Sequence, residues 1–574
     1  MRFAVLCAAL LLPGCQQPGG ATPSDGGAAD LPPHPPHDLL DPLRTGWLFL
    51  DVTDDATLHS LPARVLVTAV PPTPRPCFDC DGDLPPTGGA TATYPAAYTI
   101  GEPGGLLLIT GSALIPFAEG TYDLFITHGP EWEADQRRVT VTPRDTTVVL
   151  SALRHSVDTN GWMAADLHVH TSRSYDSHLQ FDARVVSEVT VGVELIVSTD
   201  HNGLTDLGPD VEQLGYGDIA RAIVGDEFNF FEGHGGAYPM PYDGSSPDQG
   251  ISALKLDWDV ARNVHSGDMF DFLHRLPIHP AVTVNHPRLL PDLGYFTNLM
   301  WAPPMPLPDA GRFDGLEVLN GYSQDPAQLA ELLRDWFFLL TSGTKVTALG
   351  SSDTHRLRDI HAGFPRSWLR MPSSDVRALS DSDLADAVRA GRALASNGPF
   401  ALLTVDGKAV GETASNATGQ ALCDVTVDAP GWIDVDHLRL FVNGRLAAER
   451  AIAPGSRPRF HDVLPVPLPG GDAWVVLQVG GARALRPDVI GEHGAGHVMP
   501  FAITNPVYID GDGDGTWKPA LARPTDADPG PIGPLGRQPR PPAPCIEFPP
   551  GRAHPAPIDC EPPLSTDPAT WVPR

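Results

Sequence analysis

His168 and His170 stand two residues apart in Asp166-Leu167-His168-Val169-His170-Thr171-Ser172, and the spacing returns downstream in Asp353-Thr354-His355. If both segments are extended, residues at i and i+2 point to one side of the strand, so each pair can offer two donors to a shared centre. Collected along the chain, His168, His170, Asp176, His201, Glu227, His234, His286, Asp353 and His355 form a set of imidazoles and carboxylates. Such ligands suit zinc, iron or manganese, whereas calcium takes oxygen alone. The chemistry open to this set is hydrolysis by a water that metal ions activate near neutral pH. No Gly-Xaa-Ser-Xaa-Gly elbow accompanies it, so an acyl-serine route lacks its motif.

Donors of this kind need strands that end where they begin. From about Trp162 to Pro399, the strand-like pieces Leu195-Thr199, Ala281-Asn285, Gly315-Val318 and Val346-Leu349 alternate with helical candidates at Phe181-Val191, Pro326-Ser342 and Ser380-Ala390. The alternation predicts a mostly parallel α/β domain over residues 161–400. His201, His286 and the Asp353/His355 pair each follow an apolar run, and in a barrel the C-terminal ends of strands line one mouth. His234, in Glu232-Gly233-His234-Gly235-Gly236, reads as a loop residue free to turn inward. Asp166 shares strand parity with the histidines and either ligates or orients them; Asp200 faces away from His201 in an extended chain and reads as a buttress.

Residues 46–160 carry short Val, Ile, Thr and Tyr runs between Gly and Pro clusters, at Trp47-Leu50, Arg64-Val70, Leu106-Thr110, Thr121-Thr127, Val139-Thr142 and Thr146-Leu150. They predict a β-sandwich-like domain with an exposed Pro-rich loop, Pro71 to Pro86. A second β domain is expected over residues 401–510, from Leu402-Val405, Cys423-Val427, His437-Val442, Trp474-Val479 and Phe501-Ile503. Asp510, Asp512 and Asp514 begin like a calcium loop, but the twelfth position is Leu521, so an acidic Gly-rich turn competes with that reading. The rest of residues 511–574 is a Pro-rich tail.

Residues 1–14 read as a signal peptide, with Arg2, an apolar stretch too short to span a bilayer, and Leu12-Pro13-Gly14-Cys15 at its end. That ending resembles the bacterial lipobox, which implies lipidation at Cys15; Gln16 after it resembles outer-membrane sorting. Residues 15–45 are a flexible tether of Gly, Pro, Ala and Asp. A formal net charge of −31, from 70 acidic against 39 basic residues, argues against a nucleic-acid or anionic-membrane surface. The lipid is therefore the membrane attachment. Cys77 with Cys80, and Cys545 with Cys560, are candidate disulfides in an oxidising compartment, leaving Cys423 as a buried thiol.

The motifs taken together resemble a known superfamily. Asp166 to Ser172 resembles the first motif of the PHP (polymerase and histidinol phosphatase) domain, Ser198-Thr199-Asp200-His201-Asn202 the second, Asn285-His286-Pro287 a later histidine motif and Ser352-Asp353-Thr354-His355 the last. Gly225-Asp226-Glu227, Gly233-His234, Ser174-Tyr175-Asp176-Ser177 and Ala395-Ser396-Asn397-Gly398-Pro399 are similar to the CehA/McbA-type metallohydrolases within it, with a weaker likeness at Asn505-Pro506-Val507-Tyr508. The resemblance implies a distorted (β/α)7 barrel flanked by β-sandwich-like domains. It also implies two or three divalent transition metals, zinc, manganese or iron. His168, His170 and Asp353 would serve one ion, Glu227 would bridge to a second at His234 and His286, and Asp176, His201 and His355 would hold a third.

For substrate, the superfamily points first to phosphoesters. Arg173, Arg288 and Arg356 adjoin the metal motifs and are candidates for fork-wise phosphate contact, although each could instead pair with a carboxylate. The closer branch implies carboxylic ester or amide hydrolysis, including carbamate-like bonds. Asp353 or Asp176 could shuttle a proton, and His355 or His201 could protonate a leaving group. An inactive surface-anchored binding protein is the contrasting reading, and oligomeric state is left open.

Overall fold

The structure, a computed structural model, describes residues 43–73, 99–102, 105–291, 293–357, 360–491 and 498–518. The signal segment, Cys15, the tether up to residue 42, most of the Pro71 to Pro86 loop, Cys77, Cys80, Cys545, Cys560 and the tail from residue 519 lie outside the described residues.

In the N-terminal region, alternating apolar side chains force strands to bury one face. Thr45–Asp54 buries Leu48, Leu50 and Val52 in turn and lies between Ser112–Ala118 and Thr146–Leu153. A five-stranded sheet runs in the order Thr99–Glu102, Gly105–Leu108, Ala63–Ala69, Gly120–Thr127, Asp135–Val141. Inward residues of both sheets, among them Leu50, Ile115, Val65, Leu106 and Leu124, share one core, the arrangement of a sandwich.

The central α/β region is built on two sheets. A large mixed sheet begins Arg221–Val224, Leu195–Ser198, Trp162–Val169, then continues antiparallel through Arg366–Arg370 and Ala393–Ser396. A five-stranded sheet runs Asp226–Phe230, Gly233–Tyr238, Ala281–Val284, Gly315–Asn320, Thr347–Ser351. Two isolated parallel bridges, Val169 with Thr354 and His201 with Glu227, join them. Among the described residues no continuous ladder closes a ring, because the expected β-α alternation is broken by the antiparallel hairpin of Asp226–Phe230 and Gly233–Tyr238. Helix Pro326–Thr341 starts at Asp325, whose carboxylate accepts from the Ala327 and Gln328 amides, with proline in the first turn. It buries Leu329, Leu333, Trp336 and Leu340, the stripe expected of a helix on a sheet.

The expected boundary at residue 400 does not separate two sheets. Ala393–Ser396 pairs with Phe501–Thr504, which pairs with Ala473–Gly480, so C-terminal strands extend the central sheet. Only Lys408–Ala409, Phe400–Val405, Gln420–Asp428 and Phe460–Pro467 form a separate four-stranded sheet. The Asn505 carboxamide accepts from the Ala348 amide at 2.8 Å and donates to the Ala348 and Ala393 carbonyls at 2.9 and 3.0 Å. Asn397 likewise accepts from Phe501 and donates to Gln324 and Met499. Both motif asparagines thus fasten C-terminal strands to the α/β region. Cys423 is a buried free thiol. In the acidic turn the grouped carboxylates are Asp472, Asp510 and Asp512; Asp514, expected beside Asp510 and Asp512, pairs with Lys518 instead.

Candidate metal centre

The nine candidate residues converge. Their donor atoms form overlapping groups, each within 4.8 Å: His168, His170 and Glu227; His168, His286 and Asp353; His201, Glu227 and His234; His170, Asp176, His201 and His355. His168 sits in Trp162–Val169 and His170 just beyond it, and both Nε2 atoms face the same two carboxylates. The downstream pair behaves differently from expectation. Asp353 is not extended: its φ is 56°, and that of His286 is 25°, conformations L residues rarely adopt away from functional sites. Each is held, Asp353 by its amide on the His168 carbonyl at 2.9 Å and His286 by its amide on Glu317 at 2.8 Å.

Glu227 is the hub. Its Oε2 lies 3.2 Å from His168 Nε2, 3.3 Å from His170 Nε2 and 3.1 Å from His201 Nδ1. Oε1 lies 3.2 Å from His234 Nδ1 and 3.0 Å from His286 Nε2. One carboxylate therefore faces five imidazoles, three through one oxygen and two through the other. Asp176 Oδ2 lies 3.2 Å from both His201 Nε2 and His355 Nε2.

Proton positions test whether metal ions fit. His168 Nδ1 lies 2.9 Å from the Glu317 carboxylate, and His355 Nδ1 lies 2.9 Å from the Asp353 carbonyl. Neither partner carries a proton when the acid is ionised, so in the neutral imidazoles the N–H sits on Nδ1. His170 Nδ1 donates to Ser174 Oγ at 2.8 Å, because that hydroxyl spends its own proton on Asp200 at 2.9 Å. All three Nε2 lone pairs then face carboxylate oxygens. His168 Nε2, His170 Nε2, Glu227 Oε2 and Asp353 Oδ1 are buried without any hydrogen bond. Their cross distances of 3.2–3.3 Å match donors about 3.3–3.4 Å apart around a tetrahedral ion with bonds of roughly 2.0–2.1 Å. The residues fit a divalent ion.

Without metal, the same contacts hold protons. Burial alone would pull His201 down, but Glu227 and Asp176 outweigh it and the imidazole rises to about 9. His168 is likewise carried well above its ordinary value against its burial by Asp353, Glu227 and Glu317. Burial, reinforced by the His355 cation, instead drops His170 to about 4. Burial would raise Glu227 and Asp176, yet the facing imidazoles hold both well below the usual carboxylate range.

Several supporting residues were not anticipated from sequence. Glu317 orients His168 through one oxygen and accepts from the His286 amide and the Asn320 carboxamide through the other; its signal was an acid inside the apolar strand Gly315–Asn320. Arg184, buried on helix Phe181–Val189, donates to the His170 carbonyl at 2.9 Å and the Thr354 carbonyl at 2.8 Å, tying the first and last motifs together. Asp200 does buttress: it accepts from Thr171, Ser174 and Thr205. Asp166 is not among the grouped donors; its oxygens accept from the His168, Ser352 and Gly363 amides.

Two expectations need correction. His234 belongs to strand Gly233–Tyr238, opposite Asn229, because Gly235 and Gly236 allow a close approach: a Cβ on Gly235 would meet Phe228 Cζ at 2.5 Å, and one on Gly236 would meet Thr283 Oγ1 at 2.5 Å. Arg288 is spent on Asp335, with Nε at 2.7 Å and Nη2 at 3.0 Å, and stacks over Phe296 and Trp301. Arg173 is exposed and donates to Gln249; Arg356 is half-buried beside His355.

No protein-family model matches the chain, and no curated protein matches it. Among solved structures it is similar to the β-glucuronidase of Parabacteroides merdae at 9% identity over 78% of this chain, with a TM-score of 0.16. The chain spans 60% of that enzyme's length, and a likeness at this score carries no argument. What fold and site define is a multidomain α/β plus β protein with a buried, metal-dependent type of catalytic site. Its overlapping clusters are consistent with two to three closely spaced divalent ions.

Proposed function

We propose that the protein is a PHP-type metallohydrolase of the CehA/McbA kind, with phosphoesters as its first substrate class. The observation that carries this reading is Glu227, which faces five imidazoles, two of which, His168 and His170, have their Nδ1 protons placed by Glu317 and Ser174 so that the Nε2 lone pairs point at it. Divalent ions held there supply Lewis-acid activation of a water near neutral pH. The remaining work falls to the chain. The Asp176 and His355 side chains, each 13% exposed, form the solvent-facing edge; with only two ions bound, their Oδ2 and Nε2 carry no metal and are the groups to hold or release the leaving-group proton. Arg173 and Arg356 flank that edge in sequence and orient an anionic substrate. The two single bridges, Val169 with Thr354 and His201 with Glu227, support reading the two central sheets as an opened, distorted barrel.

Carboxylic ester or amide hydrolysis is the second reading. Arg288 favours it, since its bond to Asp335 removes one of the cations a phosphate would use. Leu12-Pro13-Gly14-Cys15 supports a lipid tether and a place in the bacterial cell envelope; no helix among the described residues is long and apolar enough to cross a membrane. The test is a screen of the metal-loaded protein against chromogenic phosphomonoesters, phosphodiesters, carboxylic esters and amides. Turnover of phosphoesters that disappears on chelation supports the first reading, turnover confined to carboxyl substrates replaces it with the second, and no turnover of any class defeats both.

A further inference from the structure

A cleft that shares no residue with the metal ligands lies between the N-terminal sandwich and the C-terminal strands. It offers about 450 Å³, and the charged residues among its lining are Arg154, Arg457, Arg459, Arg483, Glu133 and Asp434. Four guanidiniums stand against Glu133, Asp434 and, behind Arg457, Asp428, a local excess of one positive charge in a chain of net charge −31. None of these residues belongs to the metal centre.

The cations are arranged rather than scattered. Arg457 and Arg459 both donate to the Ala429 carbonyl, Arg459 at 3.0 Å, so two like charges converge on one oxygen at the cleft wall. Arg457 also contacts Asp428 and Glu133. Burial and the neighbouring Arg457 both lower the Arg459 pKa, as expected for guanidiniums crowded together. Arg154 and Arg483 come from the two sides of the cleft and are 62% and 71% exposed, with loose pairings of 3.6 Å to Glu133 and 3.9 Å to Asp434. The walls themselves are fixed across the domains: the Gly431 amide donates to Glu133 at 2.8 Å and Trp432 Nε1 to the Trp132 carbonyl at 2.9 Å.

We infer that this cleft is a binding site for a small molecule bearing oxyanion groups, gripped by the exposed Arg154 and Arg483, with Arg457 and Arg459 held in the wall behind them by their own carboxylate and carbonyl partners. Planar guanidiniums match phosphate, sulfate and carboxylate alike through paired N–H donors. A volume of about 450 Å³ falls in the roughly 300–1,000 Å³ range of small-molecule sites. It therefore has room for an organic body bearing the oxyanion as well as for a lone inorganic ion.

The metal-loaded full-length protein is titrated calorimetrically with inorganic phosphate, inorganic sulfate and digalacturonate, none of them an ester that the proposed hydrolase would consume. Saturable binding of at least one probe is expected, weakened at least about tenfold in the Arg154→Gln/Arg483→Gln double variant, weakened less in Arg154→Lys/Arg483→Lys, which keeps the charge and loses the paired donors, and held within about threefold in Glu227→Gln. The probe that binds best identifies the anion source. Both arginines are largely exposed, so the variants test charge rather than folding. The inference is overturned by no saturable binding of any probe, by affinity unchanged in the glutamine double variant, or by affinity lost only in Glu227→Gln, which would assign the anion to the metal centre.

Discussion

Replacing Glu227 with Gln keeps the side-chain shape and removes one ligand oxygen together with the charge that five imidazoles face. The carboxylate is 1% exposed, so water cannot take over its role. Removing one partner from a buried charge cluster costs about 3–5 kcal/mol, and each 1.4 kcal/mol is a factor of ten, so affinity for the bridged ions should fall between roughly a hundredfold and a few thousandfold. The magnitude follows from geometry: whichever oxygen becomes the amide, its NH2 points at two or three imidazole nitrogens lying 3.0–3.3 Å away. Metal content by mass spectrometry after dialysis, with zinc competition against a chromogenic chelator, gives both stoichiometry and affinity. The expected result is loss of at least one ion per chain with secondary structure intact. Full metal content at an affinity within about threefold of the native protein would refute the bridging role, since no shared ligand can lose its charge at so small a cost.

Glu317→Gln should weaken metal binding by about 10–100-fold, because the carboxamide keeps one acceptor oxygen where His168 Nδ1, the His286 amide and the Asn320 carboxamide now use two; an unchanged chelator titration would remove Glu317 from the site's support. Metal binding should release protons at pH 7, since His201 at about 9 and His168 well above its ordinary value must deprotonate to ligate. Calorimetry in buffers of different ionisation enthalpy should find about one proton or more released per chain, and affinity should fall on acidification; zero release would contradict it. In the metal-free protein, the folded His201 pKa is the raised one, so its stabilising contribution is complete below about 6.5 and is lost as pH climbs through about 9. Thermal melts of chelated protein across that window should show stability declining with pH, and a flat or rising profile would count against the pairing. Arg288→Met should lower the melting temperature, by leaving the buried Asp335 carboxylate unpaired, without a selective rise in KM for phosphoesters; a KM effect alone would return Arg288 to the substrate.

The alternating runs were enough to place most strands of the N-terminal and central regions, because a strand with one face in the core must repeat every second residue. Donor identity was legible for the same kind of reason: an imidazole or carboxylate immediately after an apolar run is costly to bury without a partner, so its position advertises a site. His201, His286 and Asp353 could be named from type and place alone, whereas Glu227 was named through the motif that Gly225-Asp226-Glu227 resembles. Glu317 and Arg184 could not, since a single charged residue inside an apolar element carries no indication of which distant group will satisfy it.

Chain chemistry by itself thus determined the donor types, the strand ends that present several of them and the preference for divalent transition metals, and the motif resemblance completed the set. Tertiary structure decided the rest. It put His234 on a glycine-relieved strand, turned Asp353 into a left-handed conformation, spent Arg288 on Asp335 and carried the C-terminal strands into the central sheet. These outcomes depend on contacts between segments far apart in sequence, where packing and charge pairing are settled only once the sheets meet. Ligand types are a local property of the chain; the lone pairs that face one another across Glu227 exist only in the fold.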